Sequence, residues 1–189
     1  MAIAVSGIRV ELREVVLRDK PPELIAASAK ATVPVLVLPN GDVIDESLDI
    51  MRWALWQNDP EGWLAASDDT LIEANDGPYK QVLDRYKYPH RYDLADGLEH
   101  RQAGLEHLQL LDKRVSSSTY LGGDQLGFTD IALFPFVRQF AAVDNDWFNA
   151  QPLPALRNWF HQREESDLFV SIMHRYSQWH AGDPPTRFP

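Results

Sequence analysis

The chain has 189 residues, 44% hydrophobic and 24% charged, and its 18 Lys and Arg against 28 Asp and Glu give a formal net charge of -10. That balance argues against a broad footprint for DNA or RNA, whose affinity rests on cations neutralising phosphates. Six Trp, six Tyr and eight Phe supply ample core, and the absence of Cys excludes disulfides, thiolate metal sites and catalysis by a cysteine of this chain.

The opening Met1 to Gly7 is apolar but too short to span a membrane, and it lacks the basic region of a signal peptide, so a cytoplasmic location is expected. Residues 1 to 6 read as the last turns of a helix ended by Gly7, which adopts positive φ without steric cost. Residues 10 to 17 alternate and then become continuously apolar, as a partly buried strand does, and Lys20-Pro21-Pro22 breaks it. Glu23 to Ser28 has helix-forming composition, and Thr32-Val33-Pro34 leads into a second strand at Val35 to Leu38. Asn40-Gly41 predicts a two-residue type I′ turn that folds Val43 and Ile44 back antiparallel.

Beyond Asp45-Glu46-Ser47, the spacing of Leu48, Met51, Ala54 and Leu55 predicts one buried helix face. Residues 57 to 69 read as an exposed connection, with a domain boundary near 60 to 70. Helices are expected over 71 to 87, 93 to 116, 128 to 143, 153 to 164 and 167 to 178, followed by a loosely held tail at Pro184 to Pro189. The fold class is therefore α/β followed by all-α.

Taken in order, Lys20-Pro21, Thr32-Val33-Pro34-Val35-Leu36, Asn40-Gly41 and Asp45-Glu46-Ser47 resemble the glutathione-binding half of the glutathione transferases. Tyr120-Leu-Gly-Gly-Asp124 and Phe128-Thr-Asp130-Ile-Ala-Leu-Phe-Pro135 are similar to the capping and core motif of that family's second domain. The family usually has Ser or Thr where this chain has Gly127, so half of a capping box is missing, for an expected loss of a few tenths of a kcal/mol.

The resemblance, to omega-like and bacterial glutaredoxin-like members, implies a thioredoxin-like lobe over 1–60, incomplete here, and a helical C-terminal domain over 70–180. It also implies a homodimer, with glutathione as co-substrate and no membrane or nucleic-acid partner. Val33, before a cis Pro34, would offer its main-chain N–H and C=O to the cysteinyl part of the ligand. Glu46 would meet the γ-glutamyl ammonium, Ser47 and the helix N-terminus its carboxylate, and Lys20 the glycyl carboxylate. Read from the residues alone, Val33-Pro34 favours core and an ordinary trans turn and Glu46-Ser47 an exposed helix start, while Lys20 is equally a solvated loop lysine.

In the resembled fold a first strand and a loop bearing Cys, Ser or Tyr precede the helix in which this chain opens. The catalytic position would fall before Met1, and the recorded start is expected to be truncated. The absent strand would lie between the strands at 10–17 and 35–39, leaving these either paired directly or in a loose lobe. Tyr79 and Tyr86 are candidates for a substrate pocket, or for surface and inter-domain packing. His100 and His107 lack carboxylates at metal-ligand spacing, so no metal is expected. Asp130 reads as a structural cap. Two functions are weighed: a glutathione-dependent transferase or thiol oxidoreductase acting on an unknown electrophile or disulfide, and a non-catalytic interaction module on the same scaffold.

Overall fold

In a computed structural model describing residues 1–189, the chain divides into two units, Met1–Glu61 together with Asp167–Pro189, and Gly62–Ser166. The first opens with α1 (Ala2–Ser6), which packs against α3 (Ser47–Gln57). Gly7 ends α1 in the left-handed region at φ 69°, as its sequence predicts. Ser6 is buried, donates to Ile3 O at 2.9 Å and offers its own carbonyl to Asn58 Nδ2, which makes it part of the helix end.

Only Val10–Leu12 of the expected 10–17 strand forms a ladder, as β1. Val16 bridges to Asp19 around a tight turn, and α2 (Pro22–Ala27) follows with Pro22 in the first helical turn, where its missing N–H costs nothing. The Val33-Pro34 bond is cis. β2 (Leu36–Val37) pairs antiparallel with β3 (Val43–Ile44) in the register Leu36 to Ile44 and Val37 to Val43.

The hairpin pairs as expected, but its turn differs from the two-residue form. Gly41 N–H donates to Leu38 O at 2.9 Å and Leu38 N–H donates to Asp42 O at 2.8 Å, so the loop is Pro39-Asn40-Gly41. Pro39 presets the negative φ of a first turn residue, and Gly41 alone takes positive φ, at 91°.

The second unit holds α4 (Asp69–Ala74), a π-helical turn at Asn75–Tyr79, α5 (Lys80–Lys87), α6 (Leu98–Ser117), α7 (Phe128–Ala141), α8 (Asn145–Ala150) and α9 (Pro154–Glu164). The expected single helix at 71–87 is thus interrupted where Pro78 lacks the N–H that an α-ladder needs. α6 starts at Leu98 rather than 93: Asp93 adopts a left-handed φ of 54° that a helix cannot contain, Gly97 is the N-cap, and Asp96 Oδ1 accepts from Leu98 N–H at 2.9 Å. α7 is buried on nearly all sides, from Phe128 to Phe134 and again at Val137, Phe140 and Ala141, the pattern of a central helix. Leu105, Leu108 and Leu111 of α6 and Leu156, Trp159 and Phe160 of α9 are buried around that centre.

The last segment returns to the first unit. α10 (Asp167–Ile172) stops at 172 rather than 178, and Thr186–Phe188 forms β4, antiparallel to β1 in the register Val10 to Phe188. The tail expected to be loose is therefore a strand. Trp179 N–H donates to Glu14 O at 3.0 Å, and Arg13 lies over the Trp179 ring at 4.5 Å. This anchorage requires extended chain, which explains the early end of α10. β1 and β2 do not pair directly; they stand in separate two-stranded sheets, and β4 covers one edge of β1.

Candidate functional site

The β2–β3 hairpin brings the start of one strand and the end of the other to the same end of the sheet. Leu36 faces Ile44, so Val33-Pro34, just before β2, and Asp45-Glu46-Ser47, just after β3, converge there. Val33 is 45% exposed, and neither its N–H nor its C=O has a hydrogen-bond partner. A strand-like pairing edge is thus open at the residue expected to offer one.

Ser47 opens α3, with Glu46 as N-cap in an extended conformation whose side chain makes no capping bond. The first intrahelical bond runs from Ile50 N–H to Glu46 O at 3.0 Å. The N–H groups of Ser47, Leu48 and Asp49 therefore have no acceptor, and they point along the helix axis at an uncapped positive end. Beside the Ser47 hydroxyl, this forms a seat for a carboxylate.

The acidic pair before the helix is not bare. Lys30 Nζ donates to Glu46 Oε1 at 2.5 Å and to Asp45 Oδ1 at 3.1 Å, and Ser28 Oγ donates to Asp45 Oδ2 at 2.8 Å. The bond to Glu46, then that to Asp45, raises the Lys30 pKa above its usual value; the hydroxyl of Ser28, then Lys30, lowers that of Asp45. Two carboxylates and one ammonium leave one net negative charge at the end of the hairpin, so an incoming ammonium is still attracted. Ser28 and Lys30 were missed in sequence because they lie 15 to 17 residues from their partners, and no local spacing announces the contact. Lys20 stands exposed on the turn before α2 and makes no ion pair; the cation at the acidic pair is Lys30.

In the second unit Tyr79 and Tyr86 are core residues, 2% and 6% exposed, each packed against Phe140. Burial raises the pKa of both hydroxyls, that of Tyr79 strongly. This is the packing role, not a pocket-lining one. Tyr79 also stacks on His107, with ring centroids 4.2 Å apart, and neither the Tyr79 hydroxyl nor His107 Nε2 has a partner.

Burial lowers the His107 pKa from 6.5 to about 4. Between these values the unfolded chain binds a proton that the folded chain refuses, so stability falls as pH drops from 6.5 to 4. The loss is expected to be on the order of 2 kcal/mol, allowing for partial solvent screening. His107→Phe, which keeps the stack, should flatten that limb of the stability profile in urea melts; an unchanged slope would show that another group carries the proton.

Asp130, fully buried, accepts from Leu121 N–H at 2.8 Å, Gly122 N–H at 3.3 Å, Gly127 N–H at 3.4 Å and Trp159 Nε1–H at 2.7 Å. It is the structural cap expected from sequence, with an indole donor from α9 that sequence did not disclose.

The glutathione S-transferase N-terminal domain family model matches residues 1–62, and the glutathione S-transferase C-terminal domain family model matches residues 62–162. Among curated proteins, the chain is 30% identical over 152 residues to the probable glutathione S-transferase MSR-1 of Nicotiana plumbaginifolia, covering 76% of this chain and 68% of that protein. A glutathione S-transferase domain-containing protein of Marinobacter aquaeolei shares the fold at a TM-score of 0.71 and 18% identity, over 89% of this chain and 91% of the other. The structure of glutathione S-transferase-I bound with lactoylglutathione does so at 0.70 and 19%, over 90% of each. No helix of the chain is long and apolar enough to cross a membrane. Family models covering both units, together with a relative at that identity and coverage, place the chain by descent as well as by fold: it belongs to the glutathione S-transferase family.

Proposed function

We propose that the chain binds glutathione at the end of the β2–β3 hairpin and serves a glutathione-dependent transfer to, or reduction of, an electrophile or disulfide. The observation that carries this reading is the convergence of three complementary groups. The open main-chain edge at Val33 pairs with the cysteinyl residue, the uncapped N-terminus of α3 with Ser47 holds the γ-glutamyl carboxylate, and Glu46 meets the ammonium. Lys30 holds Glu46 in place while leaving the local charge negative. Lys20 is the proposed partner of the glycyl carboxylate, the protein is proposed to be cytoplasmic, and a homodimer is its proposed state.

Calorimetric titration with glutathione tests the reading. Glu46→Gln is expected to weaken binding roughly tenfold or more, the scale of a lost charge-assisted hydrogen bond. Ser47→Ala should cost less, because the helix N–H groups remain. Tyr86→Phe should leave affinity unchanged. Equal affinity in the wild type and Glu46→Gln would place the ammonium elsewhere, and no binding to the wild type would favour the non-catalytic scaffold.

A further inference from the structure

The run 80–92 sets Lys80, Arg85, Lys87 and Arg91 against one carboxylate, Asp84, in a chain whose net charge is -10. Local structure gathers these cations. Pro89 opens a 3₁₀ turn, Pro89–Tyr92, directly after α5, and the bond from Arg91 N–H to Tyr88 O at 2.9 Å closes it. The turn carries the Arg91 guanidinium to 4.0 Å from the centre of the Tyr88 ring, over which Lys87 Nζ also stands, at 4.9 Å. Arg85 lies over the Tyr92 ring at 4.9 Å, and His90 meets Tyr88 edge-on with ring centres 6.4 Å apart.

These cations are held without being neutralised. Arg85 donates to Gln81 O at 3.1 Å and Lys87 to Gln139 Oε1 at 2.8 Å, both uncharged acceptors. None of the four makes an ion pair, whereas Arg101 and Arg114 of α6 and Arg138 of α7 each reach a carboxylate. A guanidinium held against a ring face keeps its N–H edge for a planar oxyanion, and its rotamer freedom is already reduced before a ligand arrives. Acidic peptides and nucleic acids both offer oxyanions in a row, and the charge of the rest of the chain separates them. At physiological salt a charge is felt over about 8 Å, so three or four acidic residues meet the patch alone, while a longer polyanion runs out over a negative surface that repels it. We propose that the surface at 85–92 is a docking site for a short acidic peptide segment of a partner protein, with Asp or Glu at successive positions. It lies within the helical unit, shares no residue with the proposed glutathione site, and stands or falls independently of that reading.

The test is fluorescence anisotropy at physiological salt with a labelled, end-blocked Gly-Glu-Asp-Glu-Asp-Gly peptide, alongside a labelled oligothymidylate single strand. Saturable binding of the peptide is expected, weakened about tenfold or more by the double variant Arg85→Gln, Arg91→Gln. The double variant Arg175→Gln, Arg187→Gln removes the same charge at two exposed positions of the other unit and should leave the affinity unchanged. Melting curves should coincide for all three proteins, since the changes remove no core side chain. Absence of saturable peptide binding, equal losses in the two double variants, or tighter binding of the oligothymidylate than of the peptide would overturn the proposal.

Discussion

Replacing Asp130 by alanine is expected to destabilise the helical unit by about 4 kcal/mol, because four donors lose one common acceptor in a fully buried site. Three of these donors are backbone N–H groups of the loop before α7 and of its N-cap, and the fourth is the Trp159 indole. Such a loss is comparable with the whole stability of a marginal domain and lowers the melting temperature by about 10 °C. Trp159→Phe should cost only about 1 kcal/mol through the same carboxyl, and the double variant should be less than additive, since both act on one network. Thermal and urea melts of the three variants measure this. A cost for Asp130→Ala below about 1 kcal/mol would show that the loop does not depend on the network.

Gly127→Ser is expected to destabilise by about 2 kcal/mol, although it restores the residue type that a capping box prefers. Backbone conformation is not the obstacle, since φ is -153° at this position. Space is. A Cβ there would stand 2.3 Å from Ala66 Cβ and 2.7 Å from Ala66 O. Gly127 and the 63–66 turn approach each other so closely that the gain of about 1 kcal/mol from a new cap cannot offset the displacement. Thr129 secures the same turn, accepting from Asp68 N–H at 2.7 Å and approaching Ala66 O at 3.4 Å. The loss of the capping side chain, which looks like a small defect in sequence, is thus a requirement of packing. Equal or greater stability of Gly127→Ser in urea melts would refute this.

Features with a local signature were legible. Gly7, the cis Val33-Pro34 bond, the pairing of the hairpin around Asn40-Gly41 and the Asp130 cap each depend on residues a few positions apart, and the structure has them; of the expected face of α3 it buries Ala54 and Leu55, with Ile50, while Leu48 and Met51 are only half-buried. The turn type depends on Pro39 as well as on Asn40-Gly41, because Pro39 fixes the geometry of the first turn residue. Contacts between distant segments left no such trace. Lys30 reaches Glu46 across the hairpin, Trp159 reaches Asp130 from another helix, and β4 pairs with β1 from the opposite end of the chain. Thr186-Arg187-Phe188 is too short to announce a strand, and it becomes one only because β1 offers an edge. Tyr79 and Tyr86 carry the same residue type whether they line a pocket or fill a core; only burial separates the two roles.

The most direct measurement of the central claim is a crystal structure of the chain soaked with glutathione. The cysteinyl main chain should lie antiparallel to Val33 with both hydrogen bonds at about 2.9 Å, the γ-glutamyl carboxylate on the N–H groups of Ser47 and Leu48, and the ammonium on Glu46. Glutathione bound elsewhere on the chain, or the same hairpin end left to water at saturating ligand, would contradict the account.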